Sequence, residues 1–201
     1  MFSIFKYFKK GSQNYYKKKF LVVGLGNIGQ EYKNTRHNIG FDIVDHLGKI
    51  LKGTFNAAKY GDILKSKYAG KQIILLKPNT FMNLSGKAVL YWLKKEKIHT
   101  NNLIVIVDDL NINFGVFKLK PSGSDGGHNG LKDITNSLNT SNFPRLRFGI
   151  GNNFKKKDQI DFVLSEWNNE EANNLENLIN KNVEIIFSSI KQGLDFTMNK
   201  Y

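Results

Sequence analysis

The chain of 201 residues contains no cysteine. That absence excludes a disulfide framework, zinc–thiolate sites, iron–sulfur clusters and a cysteine nucleophile together. Histidine is scarce: His37, His46, His99 and His128 are the only four, and no two lie close in sequence. A histidine-based metal site is therefore not expected, and no cofactor is. No run approaches the roughly 18 consecutive apolar residues that a spanning helix requires. Neither a G-x-S-x-G elbow nor an H-E-x-x-H pair occurs. Any hydrolytic chemistry must then use neither a serine elbow nor a zincin site. Arginine is also rare, with 3 residues against 27 lysines.

What is present is positive charge and a globular pattern. The formal net charge is +13, and hydrophobic residues make up 40%. A basic chain attracts polyanions such as nucleic acid. The 27 lysines and 25 asparagines are equally what an AT-rich coding sequence would produce. Residues 1–19 hold six lysines and no acid, and read as a basic, disordered extension. Lysines interrupt any apolar core there, so it does not read as a secretory signal. Residues 20–201 read as one domain.

Strand and helix patterns alternate along that domain. Phe20–Val23 reads as a buried strand, Phe41–Leu51 as a helix, and Asp62–Tyr68 with Gln72–Lys77 as a hairpin. A helix follows over Asn83–Lys97. Leu103–Val107 is continuously apolar, as in a strand buried on both faces. Val116–Lys120 and Leu146–Ile150 read as strands, separated by a glycine-rich loop at Pro121–Gly127 and a helix over Asn129–Leu138. Asn168 and Glu171 have capping-box spacing before a long amphipathic helix that stops at Gly193. The expected class is α/β: a single domain with a mixed, mostly parallel central sheet flanked by helices.

Gly24, Gly26 and Gly29 match G-x-G-x-x-G after a strand. Dinucleotide binding needs a helix to start at the third glycine, so that its N-terminus faces the pyrophosphate. The polar stretch Gln30–Asn38 has no helical apolar face, and the acid expected about 20 residues further on is missing. A nicotinamide-dependent reductase is thus disfavoured.

Four polar clusters fall at the ends of expected elements, where a scaffold places functional groups. They are Asn27 with Tyr32 and His37, Phe81-Met-Asn83, Asp108-Asp109, and Gly126-Gly-His-Asn-Gly130. Imidazole has a pKa of about 6.5, suited to base work near neutrality. A carboxylate on its other nitrogen fixes the tautomer. Carboxamides both donate and accept, and can hold a polar substrate. The residues alone support a basic α/β domain with a polar site.

Five segments carry a resemblance. Leu21–Gly29, Asn34-Thr-Arg-His-Asn-Ile-Gly40, Lys77–Gly86, Gly126–Ile134 and Arg145–Gly151 are similar, in order and spacing, to bacterial-type peptidyl-tRNA hydrolase, over about residues 20–197. The resemblance implies hydrolysis of the ester between a peptide and the 3′-ribose of tRNA, without a metal or other cofactor. It implies His37 as general base, Asp108 as its partner, and Asn27 at the position that distinguishes N-blocked from free aminoacyl groups. Tyr32, Phe81, Asn83 and Asn129 match positions that meet the tRNA 3′ end or the peptide. His128 matches a residue at the rim of the site. Lys118, Lys120 and Arg147 match basic positions expected to face tRNA phosphates. The partner implied is peptidyl-tRNA, the setting cytoplasmic, with a monomer and no membrane partner expected. Three departures stand out: Asn111 replaces a usual acid after Asp109-Leu110, Asp125 adds a negative charge beside the glycine loop, and the extension 1–19 lies outside the family core. A non-catalytic RNA-binding protein on the same scaffold is the alternative.

Overall fold

The computed structural model describes residues 19–201. The basic extension therefore lies outside the described residues, except for Lys19. That residue is the first of strand β1, and its ammonium pairs with Glu96 at 2.9 Å.

Seven strands form one sheet: β1 (Lys19–Gly24), β2 (Asn56–Ala58), β3 (Gly61–Tyr68), β4 (Lys71–Pro78), β5 (Leu103–Asp109), β6 (Phe117–Lys120) and β7 (Arg145–Gly149). Their spatial order is β2-β3-β4-β1-β5-β7-β6. The central strands β4, β1, β5 and β7 are mutually parallel. β3 and β6 run against them, so five of the seven strands point one way. The mixed, mostly parallel sheet expected from the sequence is present.

Helices cover both faces: α1 (Ile39–Ile50), α2 (Ser85–Glu96), α3 (Asn129–Leu138), α4 (Gln159–Leu164), α5 (Asn169–Gln192) and α6 (Leu194–Lys200). Alternation along the strands builds two cores. Val22, Ile104 and Ile106 join Ile43 and Leu47 of α1 and Val183 and Ile186 of α5. Leu21, Val23, Val105 and Val107 face Val89 and Trp92 of α2 and Leu131 and Ile134 of α3. Every residue of β5 is buried, as its apolar run requires. The capping box that starts α5 is closed in both directions, each bond 2.9 Å.

Three elements escape the sequence pattern: β2, α4 and α6. β2 has three residues and no buried one. α4 buries none of its six, and α6 buries only Thr197. Without an apolar face an element leaves no periodic trace. α6 follows directly on Gly193, whose φ of 102° ends α5 and turns the chain into the last helix.

Candidate active site

The site lies at the C-terminal ends of the parallel strands, where β1 and β5 send their connections to different sides of the sheet. Close approach of backbones builds it. A Cβ on Gly24 would meet the Gly40 carbonyl oxygen at 2.0 Å, and one on Gly40 would meet Leu25 N at 2.5 Å and Ile106 O at 2.7 Å. Only glycine lets the start of α1 seat against the ends of β1 and β5. This sets the short turn Arg36–Asn38, with His37 at its centre, above Asp108 on β5. The glycines of the G-x-G-x-x-G pattern therefore serve strand–helix packing and a turn at Gly29 (φ 117°). Only the single 3₁₀ turn Gln30–Tyr32 follows them.

His37 Nδ1 lies 2.8 Å from Asp108 Oδ1. Asp108 is ionised at neutral pH, so Nδ1 carries the proton and donates it. Nε2 is then the basic nitrogen, and it makes no hydrogen bond among the described residues. The His37 side chain is 13% exposed, enough to meet solvent. Burial alone would push His37 down, but the adjacent Asp108 charge and hydrogen bond outweigh it and leave the ring above its usual pKa. For Asp108, burial favours the acid form. The imidazoles of His37 and His128 more than reverse this and hold the carboxyl far below the usual range.

His128 is the second imidazole on that carboxylate, with Nε2 at 3.1 Å from the same Oδ1 and its ring centroid 5.1 Å from that of His37. The two histidines are far apart in sequence and adjacent in space. With Asp108 they form the one group of three metal-ligand side chains among the described residues, their ligand atoms within 4.8 Å. Hydrogen bonds join His37 Nδ1 and His128 Nε2 to Asp108 Oδ1.

Asn27 is held from two directions. Its amide donates to Asn38 Oδ1 at 2.8 Å, and Asn38 Nδ2 returns a bond to the Asn27 carbonyl at 3.0 Å. The Asn27 Oδ1 accepts the Met82 amide at 2.9 Å. Its Nδ2 group remains, among the described residues, as a donor. Gly130 brings the clusters together, because a Cβ there would meet Leu25 and the Met82 sulfur, each at 2.7 Å. Asn83, beside Met82, and Asn129, beside Gly130, thus share the rim with Asn27, and both are exposed. Phe81 is 51% exposed, an aromatic face open to a ligand. Tyr32 is half-buried on the neighbouring turn.

Arg147 sits against the glycine loop. Its guanidinium pairs with Asp109 Oδ2 at 2.7 Å and donates to the Ser124 carbonyl. The second contact ties it to that loop. Arg145, fully buried, donates to the carbonyls of Gly123, Ser124 and Ser141. Burial and the Arg147 charge push it down to about 10. Asp125 accepts the Gly127 amide at 2.8 Å, and Asn111 Nδ2 donates to the Gly126 carbonyl at 3.4 Å, a bond an ionised Asp could not give. These two departures from the family pattern thus act on loop geometry. Lys118 and Lys120 are exposed on the edge strand β6, with no ion pair among the described residues.

Two supports carried no sequence assignment. One is Asn38. The other is Arg36, buried beside His37, which donates to Ser165 and Glu166, pairs with Glu171 at 2.5 Å and stacks over Phe162. Both lie inside the Asn34–Gly40 segment, whose density of polar groups next to His37 was the available signal.

The family model described as "Peptidyl-tRNA hydrolase" matches residues 21–201. The chain belongs to the peptidyl-tRNA hydrolase family. Peptidyl-tRNA hydrolase of Parabacteroides distasonis is 50% identical over 183 residues, covering 91% of this chain and 98% of that one. Peptidyl-tRNA hydrolase of Azobacteroides pseudotrichonymphae is 51% identical over the same shares. Among solved structures, peptidyl-tRNA hydrolase from Acinetobacter baumannii superposes with a TM-score of 0.85 at 34% identity, covering 91% of this chain and 94% of that one. As a member of the peptidyl-tRNA hydrolase family the chain is a hydrolase. No helix among the described residues is long and apolar enough to cross a membrane.

Proposed function

We propose that this peptidyl-tRNA hydrolase cleaves its ester by general-base catalysis at His37. One observation carries the reading: Nδ1 of His37 is engaged by Asp108 at 2.8 Å, which in the neutral ring leaves Nε2 as the oriented, unprotonated nitrogen. Nε2 takes a proton from water as the oxygen attacks the peptide carbonyl. The carbonyl–ribose oxygen bond then breaks, and the proton passes to the departing 3′-oxygen. Asp108 stabilises the imidazolium formed on the way. The ester is an activated bond, so an imidazole base suffices.

The rim supplies recognition. The Asn27 donor group meets the carbonyl side of the blocked residue, and Asn83 and Asn129 hold peptide backbone. Carboxamides bind backbone without reading side chains, which suits a substrate of any sequence. Phe81 and Tyr32 offer aromatic surface to the terminal base. Lys118 and Lys120 contact phosphates further down the tRNA, without sequence preference. The enzyme works as a monomer in the cytoplasm with no membrane partner, and residues 1–18 are a basic extension to the catalytic domain.

Release of an N-acetylated amino acid from tRNA, compared with a free aminoacyl ester, tests this reading. The account expects fast release from the blocked ester and slow release from the free one, with Asn27→Ala slowing the former. Tight tRNA binding with no release would favour the non-catalytic alternative.

A further inference from the structure

His128 was expected at the rim, in reach of substrate, yet its ring nitrogens are both engaged within the protein. Nδ1 accepts the amides of Gly130 and Leu131 at 3.1 and 3.3 Å, capping α3. A ring nitrogen that accepts carries no proton, so the proton sits on Nε2. Nε2 therefore donates to Asp108 Oδ1, 3.1 Å away. The same oxygen accepts the Nδ1 proton of His37 at 2.8 Å. The His128 side chain is only 7% exposed.

We propose that His128 is a positioning residue: it caps α3 and, through Nε2–H, shares one Asp108 oxygen with His37, thereby setting the orientation and basicity of the base. The proposal rests on His37 being that base. Two donors on one oxygen compete for its charge. With His128 withdrawn, Asp108 has more charge for His37, and His37 holds its proton more tightly. The other charged groups nearby are already committed. Asp109, beside Asp108, is paired with Arg147; Asp125 faces the Gly127 amide; Arg36 is paired with Glu171. None of these charged side chains bonds to the His128 ring, so a substitution there changes the contact to Asp108, the ring contact with His37 and the cap.

Two substitutions separate the two roles. His128→Asn keeps a good N-cap oxygen but is too short to reach Asp108. His128→Gln places an amide donor at the distance of Nε2 but caps poorly. Three readouts are needed: thermal stability for the cap, the titration of the His37 ring by NMR, and the acid limb of kcat/KM for N-acetyl-aminoacyl-tRNA. In the Asn variant we expect near wild-type stability, with the His37 titration and the acid limb both raised by about half to one pH unit. The Gln variant should return both toward wild type while melting lower. If Asn leaves the His37 titration in place and raises only KM, His128 is a substrate contact and the proposal fails. Failure of Gln to restore the titration moved in the Asn variant also overturns it. If the ring titration moves and the kinetic limb does not, the coupling stands and the assignment of His37 as base falls.

Discussion

Replacing Asp108 with Asn removes one charge and keeps the shape. The carboxamide oxygen can still accept the Nδ1 proton of His37, so the ring stays in place. What is lost is the attraction between a buried carboxylate, 4% exposed, and the imidazolium that forms as water is deprotonated. At about 4 Å and an effective dielectric near 20 that attraction is about 4 kcal/mol. The retained hydrogen bond and the smaller desolvation of a neutral neighbour recover part of it, leaving roughly 2–4 kcal/mol, or about 30- to 1,000-fold in kcat. Asp108 raises the His37 pKa, so its removal lowers it. The acid limb of the rate profile should move to lower pH while the plateau drops. The assay is single-turnover release from N-acetyl-aminoacyl-tRNA at several pH values, with KM measured alongside and expected to change little. A kcat within about threefold of wild type, with an unmoved limb, would remove Asp108 from the chemistry.

Replacing Lys118 and Lys120 together with Ala should raise KM for whole tRNA and reduce the slope of log affinity against log salt by roughly 0.7–0.9 per lost contact. A minimal ester on a short nucleotide should be hydrolysed as before; equal damage to both substrates would place these lysines in the fold. Gly40→Ala should destabilise by about 3 kcal/mol or more in urea titration, because its Cβ meets backbone of Leu25, just past β1, and of Ile106 on β5, and no flexible side chain can yield; unchanged stability would refute the packing argument. Burial and the Asp45 charge, against Lys77 and Lys33, push the Asp42 carboxyl up to about 6. A raised acid opposes folding above its unfolded pKa, and the penalty fades as pH falls through about 6. Asp42→Asn should therefore stabilise by about 1–2 kcal/mol at pH 7 and by nothing near pH 4, as thermal melts at the two pH values would show.

The parts of the fold readable from sequence are those with a buried face. β5 was legible because all its residues are buried, and α5 because a capping box opens it and a glycine closes it. β2, α4 and α6 bury too little to leave a period. For the site, His37, Asp108 and the three asparagines stood out as polar groups at element ends. The roles of the basic residues did not. Arg147 and Lys118 lie opposite one another in the β6–β7 register, yet one is paired with Asp109 and the other has no ion pair among the described residues. Linear sequence cannot show that Asp109 and Ser124 reach Arg147, nor that His128 meets the carboxylate that holds His37.

The central claim is that one imidazole does the proton transfer. The direct measurement is the single-turnover rate of His37→Ala on N-acetyl-aminoacyl-tRNA, with folding checked by melting and tRNA binding checked separately. The account predicts an intact, tRNA-binding protein slowed by roughly 100- to 10,000-fold. A folded variant that keeps more than about a tenth of the wild-type rate would contradict it.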